Sequence, residues 1–289
     1  MQRSVRLFPG PQRSRPVTRL ESGVSVNQSQ SLLNVTDLSK SFGAVHAVRQ
    51  CNLSLPAGGV YGLIGPNGSG KSTLVNLLSG VTAPSAGSIE FAGHVVTRWP
   101  TDRRARSGLV RTFQTARLWP ALSVAENLIA AAPARGRESL VRTFLSSRAL
   151  RAVEAEDRAK ARPIMEEFNL WPLRNSHASE LSGGQARLLE FGRILMSGAS
   201  LALLDEPLAG VNPVMADQVL DGIVRLNTSG VTILIIEHDL GVIRKLCTTV
   251  FAMSLGNIFM QGTIDELSAT EAFADAYLGS SVRGVLANG

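Results

Sequence analysis

Short runs of apolar residues alternate with amphipathic stretches along most of the chain. Residues 60–64, 201–206 and 231–238 are dominated by aliphatic side chains, which is typical of strands buried in a parallel sheet. Residues 215–227 instead repeat apolar positions at helical spacing and predict an amphipathic helix. Because strands and helices alternate, the pattern predicts an α/β fold with a largely parallel sheet.

Three further segments predict an antiparallel sheet at the edge of this fold. Residues 32–38 form an apolar run, and residues 47–55 alternate between apolar and polar side chains, as an edge strand does. Residues 87–91 are followed by an Ala-Gly turn signal at 92–93 and predict another strand.

A helical pattern replaces the strands from residue 125 to about residue 173. Arg and Glu are mixed there among Leu, Ala and Phe, and Pro133, Gly136 and Pro163 interrupt the pattern. We expect a helical subdomain at about 115–195, inserted in a domain that spans 31–280. Residues 281–289 are expected to be a C-terminal tail.

The composition allows a sizeable buried core, and the cysteine content indicates a reducing compartment. The chain has 289 residues, of which 44% are hydrophobic. Its longest apolar run stops at Glu237, well short of the ~18 residues that a membrane span needs. Cys51 and Cys247 are too few and too far apart for a disulfide framework, which favours the cytosol.

The basic charge is concentrated at the N-terminus. Residues 1–30 carry five arginines and one glutamate, against a net charge of +6 for the whole chain. They lack the apolar core of a secretory signal, and their Arg, Pro, Ser and Gln content predicts a disordered tail. Contact with anionic lipid, no role, and an over-extended gene start all stay open. Since the remaining domain is close to neutral, no nucleic-acid partner is expected.

A complete phosphate-binding loop lies between the strand at 60–64 and a helix that starts at Lys71. The Gly-rich loop points its N–H groups inward as an anion nest, and the helix adds the positive end of its dipole. Lys71 can reach the β- and γ-phosphates of ATP, and the Ser72 hydroxyl can ligate Mg²⁺. The predicted nucleotide-binding residues here are Gly65, Pro66, Asn67, Gly68, Ser69, Gly70, Lys71, Ser72 and Thr73.

Two acids end the apolar run at 201–206. Asp205 is placed to hold Mg²⁺ through water, and Glu206 to polarise the attacking water or accept its proton. Such a pair is common at ordinary strand ends, so its weight comes from the motifs around it.

A second motif, the Leu-Ser-Gly-Gly-Gln signature, lies at 181–185, directly before an apolar-periodic stretch at 186–196. With the phosphate-binding loop it makes the chain resemble the ABC-type ATPases, which implies a P-loop NTPase core. In that family the signature covers the γ-phosphate of ATP held by a second subunit, so a homodimeric or heterodimeric partner is implied. The signature residues carried over are Ser182, Gly183, Gly184 and Gln185.

The resemblance assigns roles to three residues that carry no signal alone. His238 stands where the family keeps its switch histidine, which contacts the γ-phosphate. Gln114 matches the Q-loop glutamine, whose amide ligates Mg²⁺ and the water. Phe42 matches the aromatic residue that stacks on adenine. One departure is visible, because Asn212 replaces an acid that helps to link the two sites of the dimer.

Five strings, at 111–114, 122–128, 209–213, 236–240 and 276–279, resemble the ATP-binding subunits of branched-chain amino acid importers and their urea and amide relatives. This likeness implies a peripheral subunit on the cytoplasmic face of the inner membrane. Its partners would be transmembrane permease subunits and, indirectly, a periplasmic binding protein. The apolar string Leu118-Trp119-Pro120 would suit a docking groove for a permease helix, with core packing as the alternative.

Two other classes compete with the importer. A lipopolysaccharide-type exporter ATPase shares the Tyr-Leu-Gly ending, but the strings at 112–114 and 237–239 favour the importer. A soluble ABC ATPase acting on ribosomes or DNA would carry a second nucleotide-binding domain or a long coiled coil, and neither is visible in the sequence.

Overall fold

The computed structural model describes residues 6–7, 31–112, 116–133 and 147–277. The chain divides into two compact units. One comprises Met1–Arg98 with His238–Gly289, and the other comprises Trp99–Glu237. No helix among the described residues combines the length and apolar character that crossing a membrane requires.

An antiparallel sheet forms part of the first unit. Its strands are β2 (Ser31–Phe42), β3 (Val45–Pro56), β5 (Ala86–Phe91) and β6 (His94–Val95), in the order β3-β2-β5-β6. The alternation predicted for residues 47–55 is confirmed, since β3 lies at the edge and buries every second residue over much of its length. All pairings in this sheet are antiparallel.

The first unit also contains the strand that leads into the phosphate-binding loop. The strands β4 (Val60–Ile64) and β10 (Thr249–Ser254) pair in parallel, and β11 (Asn257–Gly262) pairs antiparallel with β10. All five residues of β4 are buried, as the apolar run predicted. The short strand β1 (Arg6–Leu7), in the segment expected to be a disordered tail, pairs antiparallel with β11.

Helices of the first unit follow these strands. They are α1 (Lys71–Ser79), α7 (Leu240–Leu246) and α8 (Ile264–Ser268), and residues 271–277 are helical as well. The prediction that a helix starts at Lys71 is confirmed. α1 buries its apolar face completely, with Leu74, Val75, Leu77 and Leu78 at 0% exposure.

The second unit has a parallel sheet of three strands among its described residues. They are β7 (Leu109–Arg111), β8 (Leu201–Asp205) and β9 (Thr232–Ile236), with β8 in the centre. β9 is buried throughout and β8 over its first four residues, as the continuous apolar runs predicted.

The helices of the second unit include those predicted for the helical subdomain. They are α2 (Thr101–Arg106), α3 (Val124–Ala130), α4 (Ser147–Glu167), α5 (Gly183–Met196) and α6 (Pro213–Thr228). The ring centroids of Phe168, the residue directly after α4, and of Phe191 on α5 lie 6.4 Å apart. Gly192 of α5 lies so close to Leu128 of α3 that an added Cβ would stand 2.9 Å from its Cδ2.

One expectation about helix boundaries is wrong. Pro163 was expected to interrupt the helical pattern, but α4 continues through it. A proline removes one helical hydrogen bond and crowds the preceding turn. Here Ala161 and Met165, on either side of Pro163, are buried, and this packing offsets the local cost.

Candidate functional site

The phosphate-binding loop connects β4 to α1, and Lys71 lies inside it. The Lys71 Nζ atom donates to the carbonyl oxygens of Gly65 at 2.7 Å and Pro66 at 3.0 Å. Its side chain is buried, so the ammonium group faces the loop rather than bulk solvent. The loop therefore holds its lysine where phosphate oxygens would compete with backbone carbonyls for the charge.

The start of α1 has no side-chain cap, and neither does that of α2, which follows Pro100. Gly70 occupies the N-cap position in the left-handed region, with φ of 105°, and makes no side-chain cap. Five other helices have side-chain caps, from Ser123, Ser182, Asn212, Asp239 and Thr263. An N-terminus with no side-chain acceptor, beside a buried lysine, is suited to an anion.

Two glycines of the loop are required by close approach of the backbone. An added Cβ at Gly65 would stand 2.1 Å from the Met253 carbonyl oxygen, and one at Gly70 would stand 2.4 Å from that of Ala47. Within the described part of the chain, the buried Ser69 Oγ has no hydrogen-bond partner. A buried hydroxyl in that state is costly, and a ligand oxygen at the loop would satisfy it.

Phe42 ends β2 at the tip of the β2–β3 hairpin. Its side chain is 52% exposed, and the Lys40 ammonium lies 5.1 Å from the ring centroid. The ring is therefore not part of the core. One face of an exposed aromatic ring is available to a flat ligand, as adenine stacking requires.

Asp205, at the end of β8, is held by a partner that sequence reasoning missed. The Arg111 Nη2 atom, from the end of β7, donates to Asp205 Oδ2 at 2.9 Å. Both side chains are largely buried, with 12% and 15% exposure. No local sequence signal indicated this contact, because it depends on the pairing of β7 with β8, whose carboxyl ends meet at one edge of the sheet.

Glu206, the residue after β8, has an unusual backbone. Its φ is 46°, in the left-handed region that is uncommon for residues with a Cβ. The Glu206 N–H donates to Ile236 O of β9 at 3.0 Å, and its carbonyl accepts from Ala209 N–H at 3.0 Å. Such conformations cost about 1–3 kcal/mol and cluster at functional sites. The hydrogen bonds to Ile236 and Ala209 thus fix the backbone conformation of Glu206.

The signature residues form the first turn of α5. Ser182 is the N-cap, where its Oγ accepts from Gln185 N–H at 3.3 Å, and Gln185 Oε1 accepts from Ser182 N–H at 2.9 Å. An added Cβ on Gly184 would stand 2.8 Å from Met215 Cβ of α6, so this glycine permits close helix packing. Ser182 and Gly183 are exposed, which leaves the start of α5 accessible to another molecule.

Asn212, the departure from the family pattern, caps α6. Its Oδ1 accepts from the Val214 N–H at 3.0 Å. Asn and Asp are equally good caps. The substitution therefore keeps the helix start and removes only the charge.

The remaining predicted residues lie at separate places in the chain. His238 follows β9 and is exposed, while Gln114 lies outside the described residues. The phosphate-binding loop, Phe42 and His238 belong to the first unit. Asp205, Glu206 and the signature belong to the second.

Trp119 lies on the surface of the second unit and is not a core residue. Its side chain is 42% exposed, and the Arg193 guanidinium carbon lies 4.1 Å from the ring centroid. Burial lowers the pKa of Arg193, which also donates to Arg117 O at 2.5 Å. The buried Asn127 exchanges two hydrogen bonds with the Trp119 backbone, each of 3.0 Å. The buried Asn127 thus fixes the backbone of the loop that carries Trp119, while the Trp119 ring stays accessible.

Known proteins resemble this chain over most of its length. Residues 48–209 match the protein family described as "ABC transporter". A "probable branched-chain amino acid transport ATP-binding protein LivG" of Archaeoglobus fulgidus is 36% identical over 249 residues, which cover 86% of this chain and 96% of that relative. The high-affinity branched-chain amino acid transport ATP-binding protein BraF of Pseudomonas aeruginosa is 34% identical over 254 residues, or 88% of this chain and all of that protein (100%).

Solved structures agree with the fold. The ADP conformation of an ATP-binding cassette of an ABC transporter superposes with a TM-score of 0.73 at 31% identity, covering 86% of this chain and 99% of that one. A nucleotide-free ATP-binding cassette gives a TM-score of 0.72 at 31% identity, covering 86% and 98%.

Proposed function

This chain belongs to the family of ABC transporter ATP-binding proteins, and we propose that it powers the import of branched-chain amino acids or a related amide. Relatives named for branched-chain amino acid transport match it over 96% and 100% of their own length, and this observation carries the proposal. The chain is an ATPase whose hydrolysis would drive the membrane partners.

The phosphate-binding loop and Phe42 are proposed to bind ATP. The loop amides and Lys71 would hold the β- and γ-phosphates, and the exposed ring of Phe42 would stack on adenine. Ser72, Gln114 and Asp205 would hold Mg²⁺, which supplies positive charge to the phosphate oxygens when bound. The hydroxyl of Ser72 and the carboxylate of Asp205 are hard oxygen donors, the class that Mg²⁺ prefers.

Hydrolysis is proposed to depend on Glu206 and His238. Glu206 would orient the attacking water and accept its proton, and its positive φ, fixed by Ile236 and Ala209, supports a dedicated placement. His238 would contact the γ-phosphate, and its exposed side chain is compatible with that contact.

The proposed partners are a second ABC ATPase subunit and the permease subunits. Ser182, Gly183, Gly184 and Gln185 would contact ATP held by the second subunit, which could be a second copy or a related chain. The permeases would hold the complex at the cytoplasmic face of the inner membrane and receive the solute from a periplasmic binding protein.

Uptake by membrane vesicles tests this function. Vesicles containing this chain, the permease subunits and the binding protein are expected to take up radiolabelled leucine only when ATP is present on the side of the membrane that carries this chain. Lys71→Ala in the same vesicles is the control for dependence on this subunit. ATP-dependent uptake that persists with Lys71→Ala would assign the work to another ATPase.

Trp119→Ala is expected to abolish this uptake while leaving the isolated chain folded and able to bind ATP. The side chain is 42% exposed, so its removal should cost less than that of a core tryptophan, and the lost stacking of Arg193 is worth about 0.5–2 kcal/mol. Uptake is expected to fail because Trp119 would belong to the groove in which a permease helix docks. Co-purification with the permeases measures this docking, and thermal melts measure the stability of the chain.

Trp99→Ala is the matched control for Trp119→Ala. Trp99 also carries a stacked arginine, with the Arg103 guanidinium carbon 3.9 Å from its ring centroid. This variant is expected to keep permease binding. A loss of about 3–5 kcal/mol in the free energy of unfolding of Trp119→Ala, as for a core tryptophan, would contradict the docking role.

A further inference from the structure

A tyrosine near the C-terminus contacts the phosphate-binding loop. The Gly65 N–H donates to the Tyr277 Oη atom at 3.0 Å, across 212 residues of sequence. Tyr277 belongs to the string at 276–279, which carried part of the family likeness without a role of its own. We infer that Tyr277 is a positioning residue for ATP binding, because its hydroxyl fixes the peptide group at which the loop begins.

The position of Tyr277 is set by packing on the first unit. Its ring stacks on that of Phe273, with centroids 4.8 Å apart and planes at 27°. These residues lie one helical turn apart on the same face, and Phe273 is buried. The Thr270 hydroxyl accepts from Phe273 N–H at 3.3 Å and donates to Leu267 O at 2.7 Å. The position of the Tyr277 hydroxyl is therefore fixed by the stacking of its ring on the buried Phe273.

The next peptide group, whose carbonyl belongs to Gly65, is held by the residue that would bind phosphate. Gly65 O accepts from Lys71 Nζ at 2.7 Å, and the nearby Met253 carbonyl leaves no room for a Cβ. The φ of Gly65, 155°, is also one that other residues avoid. Tyr277 and Lys71 thus contact the two peptide groups that flank one glycine.

This arrangement makes the tyrosine matter most when nucleotide binds. As the Lys71 ammonium turns towards phosphate oxygens, Gly65 O loses that donor. The contact with Tyr277 then remains to orient the start of the loop, so that its following N–H groups keep facing the anion. Burial raises the pKa of Tyr277 above the ordinary tyrosine value, which already lies well above physiological pH, so the hydroxyl is neutral.

The inference rests on the proposed binding of ATP by this loop, and Tyr277→Phe tests it. The variant keeps the ring that stacks on Phe273 and removes only the hydroxyl. The dissociation constants of ADP and ATP, measured by calorimetry on the full chain, are expected to rise about three- to tenfold, the effect of one hydrogen bond. The KM for ATP should rise in parallel with kcat far less affected.

Tyr61→Phe is the matched control, since the chain has only two tyrosines. The Tyr61 hydroxyl donates to Pro56 O at 2.9 Å and belongs to the same unit. Its removal is expected to leave both dissociation constants at the wild-type value. Equal affinities in wild type and Tyr277→Phe would overturn the inference alone, whereas a wild-type chain that binds no nucleotide would overturn the proposed function with it.

A spectroscopic measurement keeps the inference testable even if Tyr277→Phe folds poorly. Wild-type protein labelled with 3-fluorotyrosine has two ¹⁹F signals, which Tyr61→Phe assigns. The Tyr277 signal is expected to shift on saturation with ADP, because phosphate charge then lies beside the loop and Lys71 has left Gly65 O. The Tyr61 signal is expected to shift much less. A Tyr277 signal that does not respond to bound nucleotide would refute the role.

Discussion

Glu206→Gln is expected to leave ATP binding intact and to slow hydrolysis by about 10²–10⁴-fold, the contribution of a positioned general base. The substitution is close to isosteric, so the turn that gives Glu206 its φ of 46° should survive. What is lost is the ability to accept a proton from the attacking water. Steady-state ATPase assays at saturating ATP measure the effect. Because the ATP persists, the variant should also accumulate as an ATP-bound dimer, seen by gel filtration.

Glu180→Gln is the control for this experiment. Glu180 is an exposed glutamate of the same unit, directly before the signature. The Glu180→Gln variant is expected to hydrolyse ATP at the wild-type rate. Near-normal turnover in Glu206→Gln would remove the role given to Glu206 and leave its backbone conformation without a functional account.

The strands were predictable from the sequence because each has a strong local pattern. The buried runs at β4, β8 and β9 and the alternation of β3 depend only on which faces are covered. The passage of α4 through Pro163 was not predictable in this way. Local chemistry favours a break there, and only the buried side chains around it stabilise the continuous helix.

The same division separates the predicted parts of the site from those that were missed. The phosphate-binding loop and the signature at 181–185 are each encoded within a few consecutive residues. Arg111 and Asp205 are 94 residues apart, and Gly65 and Tyr277 are 212 apart. Those pairs depend on strand order and helix packing, which a single sequence does not specify, so Arg111 and Tyr277 carried no role before the fold was known.

Lys71→Ala and Ser182→Arg are expected to fail in different ways. Lys71 is proposed to bind phosphate held by its own subunit, so Lys71→Ala should weaken nucleotide binding about 10- to 100-fold, as expected for a hydrogen bond to a charged group. Ser182 is proposed to serve ATP held by the second subunit. Ser182→Arg should therefore bind ATP almost normally and lose hydrolysis by about 10²-fold or more, because a donor to the reacting phosphate is replaced by a bulky chain.

Loss of the helix cap is the effect that must be separated from this one. Arg cannot cap α5, which should cost about 1 kcal/mol of stability whatever the function of Ser182. Ser123 caps α3 with the same capping box in the same unit, so Ser123→Arg imposes an equal cap loss away from the signature. We expect Ser123→Arg to hydrolyse ATP and Ser182→Arg not to. In a dimer of two copies of this chain, mixing Ser182→Arg with Lys71→Ala subunits should then restore one intact composite site and part of the activity. If Ser182→Arg instead lost nucleotide binding as Lys71→Ala does, the signature would serve the ATP of its own chain, and the interfacial site would be contradicted.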